Sequence, residues 1–206
     1  MTCSIGNLSL RVQQSNLLPI QQECLRTSTK DSNAAMTFEI RRATARDIKA
    51  ILPVWGELAG FHASLDPAFT PSPEWPREYG AYLKTLMARE DALALVAKED
   101  LEVIGYAVGR ITTLPPFFEH RSRGYIHDVY VREEFRRRGL GRRLVEEILV
   151  WFDRRGVTLV ELTVAANNAE AIPFWKRLGF FVYMHQMKKE IREQRMGNGE
   201  RRSRSR

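Results

Sequence analysis

Val131-Arg132-Glu133-Glu134-Phe135-Arg136-Arg137-Arg138-Gly139-Leu140-Gly141-Arg142 is the stretch on which the reading of this chain turns. Before it, Gly124–Val131 reads as a strand. After it, Leu144, Val145, Ile148, Leu149 and Phe152 recur at helical spacing and form one apolar stripe that runs up to Gly156. The segment is therefore a short, basic strand-to-helix turn with two glycines. Glycines there let backbone amides approach a ligand closely. The helix start adds unpaired N–H groups and a positive dipole end, which together suit a phosphate. From these residues alone two readings stand open: an anion pocket, or a plain helix start with a solvated basic rim. Two commoner phosphate motifs do not fit. A Walker A loop needs Lys-Ser or Lys-Thr after its last glycine, whereas Arg142-Arg143 follows Gly141. A dinucleotide fingerprint needs a third small residue where Leu144 stands, and Glu161 sits inside its strand instead of at the end.

Working outward, strands and helices interleave on both sides. Thr37-Phe38-Glu39-Ile40-Arg41 alternates like a half-buried strand. Thr44 and Asp47 resemble a capping box ahead of Ile48, Ile51, Leu52 and Trp55 at helical spacing. Pro71, Pro73 and Pro76 mark a loop, and Tyr79 to Met87 predicts a second helix. Strands are predicted over Ala92–Ala97, Glu102–Thr112 and Gly124–Val131, with a loop over Leu114–Arg123. Val160, Leu162 and Val164 alternate in a further strand. Asn167 or Asn168 caps a short helix that ends at Gly179, and Phe180–Lys188 predicts a closing strand. The order predicts a single α/β domain over 36–194.

Composition bounds the rest. Of 206 residues 44% are hydrophobic and 28% charged, an ordinary soluble globular balance. Cys3 and Cys24 are too few for a disulfide framework or a thiolate zinc site, and no metal is expected. No apolar run is long enough to cross a membrane, and Met1–Arg11 lacks the form of a secretory signal, so cytoplasm is the default. The net charge of +7 sits largely in the tails: residues 36–194 hold 24 basic against 22 acidic side chains. Nucleic acid is therefore disfavoured as a partner. Residues 195–206 read as a basic disordered tail, and 1–35, polar and without period, as a disordered extension. Met36 is on this reading a candidate start of translation. A faint alternative is a docking or targeting element over Leu8–Leu18.

Arg136-Arg137-Arg138-Gly139-Leu140-Gly141 matches Arg/Gln-x-x-Gly-x-Gly/Ala, and Val129-Tyr130-Val131 precedes it. Asn168-x-x-Ala171 and Trp175-x-x-x-Gly179-Phe180 follow at a fitting distance. In this combination the chain resembles the GCN5-related N-acetyltransferase (GNAT) superfamily over roughly 37–189. The resemblance implies a mixed, twisted sheet of about six to seven strands flanked by about four helices, with the fourth and fifth strands splayed. Acetyl-CoA, as co-substrate, would lie in that cleft. Its pyrophosphate would sit on the amides of Arg137, Arg138, Gly139, Leu140, Gly141 and Arg142 and its pantetheine along Val129, Tyr130 and Val131, with Arg136, Asn168 and Trp175 also among the cofactor-binding residues. The implied reaction is direct transfer of acetyl to a primary amine of a small molecule or peptide.

Such an amine must lose a proton. His127 and Asp128 adjoin on the strand that would hold the cofactor, pointing to opposite faces if that strand is regular. Position alone leaves His127 as a base or as a histidine hydrogen-bonded within the sheet. The resemblance aligns His127 with the base of diamine and arylalkylamine acetyltransferases, and Asp128 with an acid that faces a cationic amine; Asp128 reads equally as structural. Where the family carries a tyrosine acid this chain has Trp175, whose indole donates a hydrogen bond but no usable proton. Tyr183, Tyr130 or a water is the substitute. The ribosomal-protein alanine acetyltransferases are similar around the glycine turn, but their catalytic glutamate and tyrosine align with Thr163 and Trp175. That makes their protein substrate a poor expectation here. Acceptor specificity is expected from 61–69, Asp66 first, and from 115–120; His62 and His120 read as polar loop residues. The alternatives are a non-catalytic CoA-binding module, suggested by Trp175, and a protein N-terminal acetyltransferase. A homodimer stays open.

Overall fold

The computed structural model describes residues 38–119 and 121–189. The glycine turn does start a helix, the third in the chain. Strand β1 (Glu39–Arg42) leads through a single 3-10 turn, Ala45–Asp47, into α1 (Ile48–Leu65). Asp47 makes that junction. Its carboxylate accepts both Arg41 guanidinium nitrogens at 2.8 and 2.7 Å and the Thr44 backbone N–H at 2.8 Å. The capping pair read from the sequence is thus joined by an arginine from the strand before it. Helix α2 (Trp75–Met87) starts four residues earlier than its apolar period suggests, because Pro76 is well suited to a first helical turn.

Strands β2 (Ala92–Glu99), β3 (Glu102–Thr113) and β4 (Ser122–Val131) follow. Helix α3 (Leu140–Asp153), β5 (Val160–Leu162) and α4 (Ala171–Arg177) complete the order. The sheet runs β1-β2-β3-β4-β5, antiparallel except for the parallel β4–β5 pair, so it is mixed. Side chains alternate across it. Leu93, Leu95 and Ala97 of β2 face the α3 core, while Ala92, Ala94 and Val96 face α1 and α2. Covered on both sides, β2 reads as a continuous apolar run.

Helix α3 lies unusually close to the sheet. A Cβ at Gly109 would meet Ile148 at 2.9 Å, and one at Gly124 would meet Phe152 at 2.8 Å. The helix stripe Leu140, Leu144, Val145, Ile148, Trp151 and Phe152 is buried there. Each such side chain contributes roughly 1.5–3 kcal/mol by leaving water. The helix ends in a Schellman motif: Val157 N–H donates to Phe152 O at 3.1 Å, Gly156 N–H to Asp153 O at 2.8 Å, and Gly156 takes φ +70°.

Two expectations need correction. Five strands are present among the described residues, not six to seven. The difference is Phe180–Lys188, which forms no ladder with any described strand. Strand β5 offers only three residues, all engaged with β4 on one edge, and 180–189 attaches through side chains instead. The Tyr183 hydroxyl donates to Glu161 at 2.6 Å, and the Lys188 ammonium pairs with Asp66. The expected extension 1–35 and tail 195–206 lie outside the described residues, as does His120.

Candidate active site

The decisive local feature is in β4. Val108 of β3 pairs with Asp128, yet its neighbour Gly109 pairs with Ile126, so His127 is an extra residue without a partner on β3. Such a bulge reverses the facing of everything beyond it. Before it, Gly124 and Ile126 face α3, which leaves Tyr125 and His127 on the α1/α2 side. The Tyr125 and His127 rings meet edge-on at 4.9 Å. After it, Val129 and Val131 face α3, and Tyr130 joins the α1/α2 cluster together with Asp128, which Tyr79 of α2 contacts. His127 and Asp128 therefore share one face. The regular-strand expectation of opposite faces is overturned, and the cause is one inserted residue.

On that face Asp128 accepts the Tyr79 hydroxyl at 2.7 Å. Tyr106, 1% exposed, carries its hydroxyl beside the same carboxylate without completing a hydrogen bond. Burial pushes the Asp128 carboxyl above the usual carboxylate range, against the opposing pull of the Tyr79 bond and of His127. The same burial, with Asp128 nearby, holds both tyrosine hydroxyls protonated well above their usual range. The His127 residue is exposed overall, but its ring is flanked closely enough that desolvation lowers its pKa, outweighing the attraction of Asp128. The shift favours the neutral imidazole, the form that can accept a proton.

The strand edge and turn come next. Strand β5 pairs with β4 only from Gly124 to Ile126, so the β5-side edge of 127–131 carries no ladder bonds. Past β4, Arg137 takes φ +62° and Gly139 φ +77°, two left-handed residues flanking Arg138. Such a run turns successive N–H groups toward one concavity. The N–H groups of Leu140, Gly141 and Arg142 have no acceptor within α3, since Arg143 N–H is the first to bond back, to Gly139 O at 3.1 Å. A Cβ at Gly139 would meet nothing, so the space there is open, whereas one at Gly141 would be in ordinary contact with Phe174 at 3.7 Å and Val131 at 3.8 Å. The arginine side chains divide. Arg136 braces the turn through Val131 O at 3.0 Å, Glu170 at 3.4 Å and the Tyr130 ring. Arg138 pairs with Glu99 at 3.6 Å and Arg142 with Glu146 at 2.6 Å. What the turn could offer an anion is its unpaired backbone N–H groups rather than these paired side chains.

The remaining expected residues are more scattered. Asn168 is buried, and its side-chain oxygen accepts the Ala171 N–H at 3.0 Å, capping α4. Trp175 sits edge-on between Phe174 at 5.0 Å and Phe180 at 5.3 Å, packed against the α3 core. The Tyr183 hydroxyl is engaged with Glu161, not with His127 or Asp128, and that bond raises its pKa. Tyr79 and Tyr106 are the residues the sequence reading missed; a tyrosine spaced one turn from core leucines gives no sign that it reaches a strand acid. No group of three or more His, Cys, Asp or Glu among the described residues could hold a metal ion. No helix among them is long and apolar enough to cross a membrane.

The sequence profile of the acetyltransferase (GNAT) family matches residues 58–180. This chain belongs to the GNAT family. Among GNAT relatives, it is 28% identical to the uncharacterized N-acetyltransferase MJ1207 of Methanocaldococcus jannaschii, over 87% of this chain and 74% of that one. The crystal structure of a BH1408 variant from Bacillus halodurans superposes with a TM-score of 0.67 at 26% identity, covering 74% of this chain and 99% of that one. A predicted acetyltransferase of Clostridium acetobutylicum, solved with acetyl-CoA, has a TM-score of 0.62 at 17% identity, covering 75% and 96%. The GNAT fold implied by the combined motifs is thereby shown, as an α/β fold with a mixed sheet of five described strands.

Proposed function

We propose that this acetyltransferase moves acetyl from acetyl-CoA to a primary amine, at the face of β4 that carries His127 and Asp128. The observation that carries the reading is the bulge, which puts a neutral imidazole and a carboxylate side by side at the strand's unpaired edge. Acetyl-CoA is the donor seen in the related fold from Clostridium acetobutylicum. Here the 137–142 amides would take its pyrophosphate, and the edge of Val129, Tyr130 and Val131 would pair with its pantetheine. The amine nitrogen attacks the thioester carbonyl, a C–N bond forms and the C–S bond breaks. His127 takes the proton the amine loses, and Asp128 holds the amine as its charge grows. Trp175 offers an N–H for the leaving sulfur. A chain from Met36 to residue 194 would comprise this domain.

The test is acetyl-CoA titration by calorimetry, followed by amine-dependent release of free CoA across a panel of small amines and peptides. Binding with release supports the proposal. Binding without release for every amine favours a CoA-binding module, and no binding defeats the placement of the donor.

A further inference from the structure

Beside the proposed reaction face lies a cavity of about 390 Å³ that the steps above do not use. Its walls are Trp55 from α1, Trp75, Tyr79 and Tyr82 from α2, and Ser72 and Glu78 at the rim. The four rings form one connected surface, with successive centroids at 4.8, 4.3 and 5.8 Å. Its floor is fixed: a Cβ on Gly56 would come within 3.1 Å of the Trp75 ring, so that ring lies directly on the α1 backbone. Its rim is fixed as well, since the Ser72 hydroxyl donates to Glu78 at 2.7 Å and ties the preceding loop to α2. The one charged lining residue is an acid, Glu78; no Lys, Arg or His lines the cavity. Behind Tyr79 stands a second acid, Asp128, so a single side chain serves as cavity wall and as donor to the reaction face. Arg110, whose charge reaches Tyr82, is paired with Asp91 at 3.8 Å, and Arg77, next to Glu78, with Glu74 at 3.6 Å.

Aromatic rings carry partial negative charge on their faces, and although Trp55 and Tyr79 stack on each other, a ring-lined pocket with an acid at its rim attracts an organic cation whose alkyl groups also gain from apolar contact. A neutral aromatic guest would use the rings but gain nothing from two acids. A simple metal ion would use the acids but not the rings. We infer that this cavity binds a positively charged, carbon-bearing nitrogen, and that it belongs to the acceptor, whose substrate class is then a diamine or polyamine. The second half of that inference rests on the acetyl transfer proposed above. One amine is acetylated beside His127 while the other is held among Trp55, Trp75, Tyr79 and Tyr82.

The experiment separates the two halves. Choline and its neutral isostere 3,3-dimethylbutanol, identical in shape around the charged atom, are titrated into the full chain. Choline is expected to bind about tenfold tighter, and Tyr82→Leu and Glu78→Gln are each expected to weaken it several-fold. Equal affinity, or no binding by either at tens of millimolar, overturns the cation site. Cadaverine and pentylamine are then compared as acceptors. The inference expects kcat/KM to favour cadaverine about tenfold or more, with Glu78→Gln narrowing the ratio. Transfer to both amines at equal rates, without choline binding, overturns the inference and leaves acetyl transfer standing. Choline binding without transfer to any amine removes the acceptor half along with the proposed reaction and leaves the cation site.

Discussion

His127 and Asp128 illustrate how one backbone irregularity sets residue chemistry. Burial lowers the pKa of His127, so its base form persists to lower pH than that of a free histidine. Turnover in wild type should therefore rise with pH through a group below ~6.5 and be flat above it. His127→Ala should cut kcat by about 10²–10⁴-fold with acetyl-CoA affinity unchanged, checked by steady-state rates and calorimetry. A near-normal rate would mean that the amine arrives deprotonated by another route. Asp128 behaves oppositely. Its folded pKa is raised, so above the unfolded value of ~3.9 ionisation favours the unfolded chain and the carboxylate subtracts stability. Asp128→Asn should then raise Tm at pH 7 while lowering activity, with the gain vanishing below ~pH 4 where both side chains are neutral. A lower Tm at pH 7 would contradict this. Neither effect was legible in sequence, because a bulge leaves no compositional mark and adjacent residues read as facing apart.

Elements were more legible, for reasons that differ among them. The stripe on α3 and the two glycines before it show in the sequence, since a 3.6-residue period and a left-handed cap both demand particular residue types. The turn's anion capacity rests on backbone, so Gly139→Glu with Gly141→Glu should abolish acetyl-CoA binding while circular dichroism stays native. Nothing crowds a side chain at Gly139, whose φ of +77° costs it roughly 1–2 kcal/mol, and at Gly141 Phe174 and Val131 leave ordinary contact, but the new charges oppose a phosphate. Undiminished affinity would place the donor elsewhere. At the start of α1, Arg41 and Thr44 hold the Asp47 carboxyl well below the usual range. Its contribution is present above ~pH 4 and is lost as pH falls below that. Asp47→Ala should cost about 2–4 kcal/mol at pH 7, read from urea unfolding, because it strips a largely buried arginine pair and a helix start together. The failed element, Phe180–Lys188, is apolar enough for a strand. Pairing, however, depends on the length of the neighbouring edge, and three residues of β5 do not supply one.

At the scale of the molecule, strand and helix periods, with the family resemblance, were enough to read an α/β domain with a mixed sheet. For acceptor specificity the sequence pointed to 61–69 and 115–120; the open pocket of the further inference is lined by Trp55, Trp75, Tyr79 and Tyr82. Trp75, Tyr79 and Tyr82 do lie on one face of α2, but aromatic residues at that spacing look the same whether they fill a core or line a pocket. Residues 1–35 are polar and aperiodic and have little to bury, so a chain beginning at Met36 should bind acetyl-CoA and melt within a few degrees of the full chain. A large fall in Tm would assign that segment a docking role. The most direct measurement of the whole account is a single turnover: protein preloaded with labelled acetyl-CoA is mixed with an amine, and the label is followed by mass spectrometry. The account predicts that the acetyl group appears on the amine nitrogen as free CoA is released in equal amount, without passing through an acetylated protein. Bound acetyl-CoA that stays intact against every amine, or label lodged covalently on the chain before transfer, would contradict it.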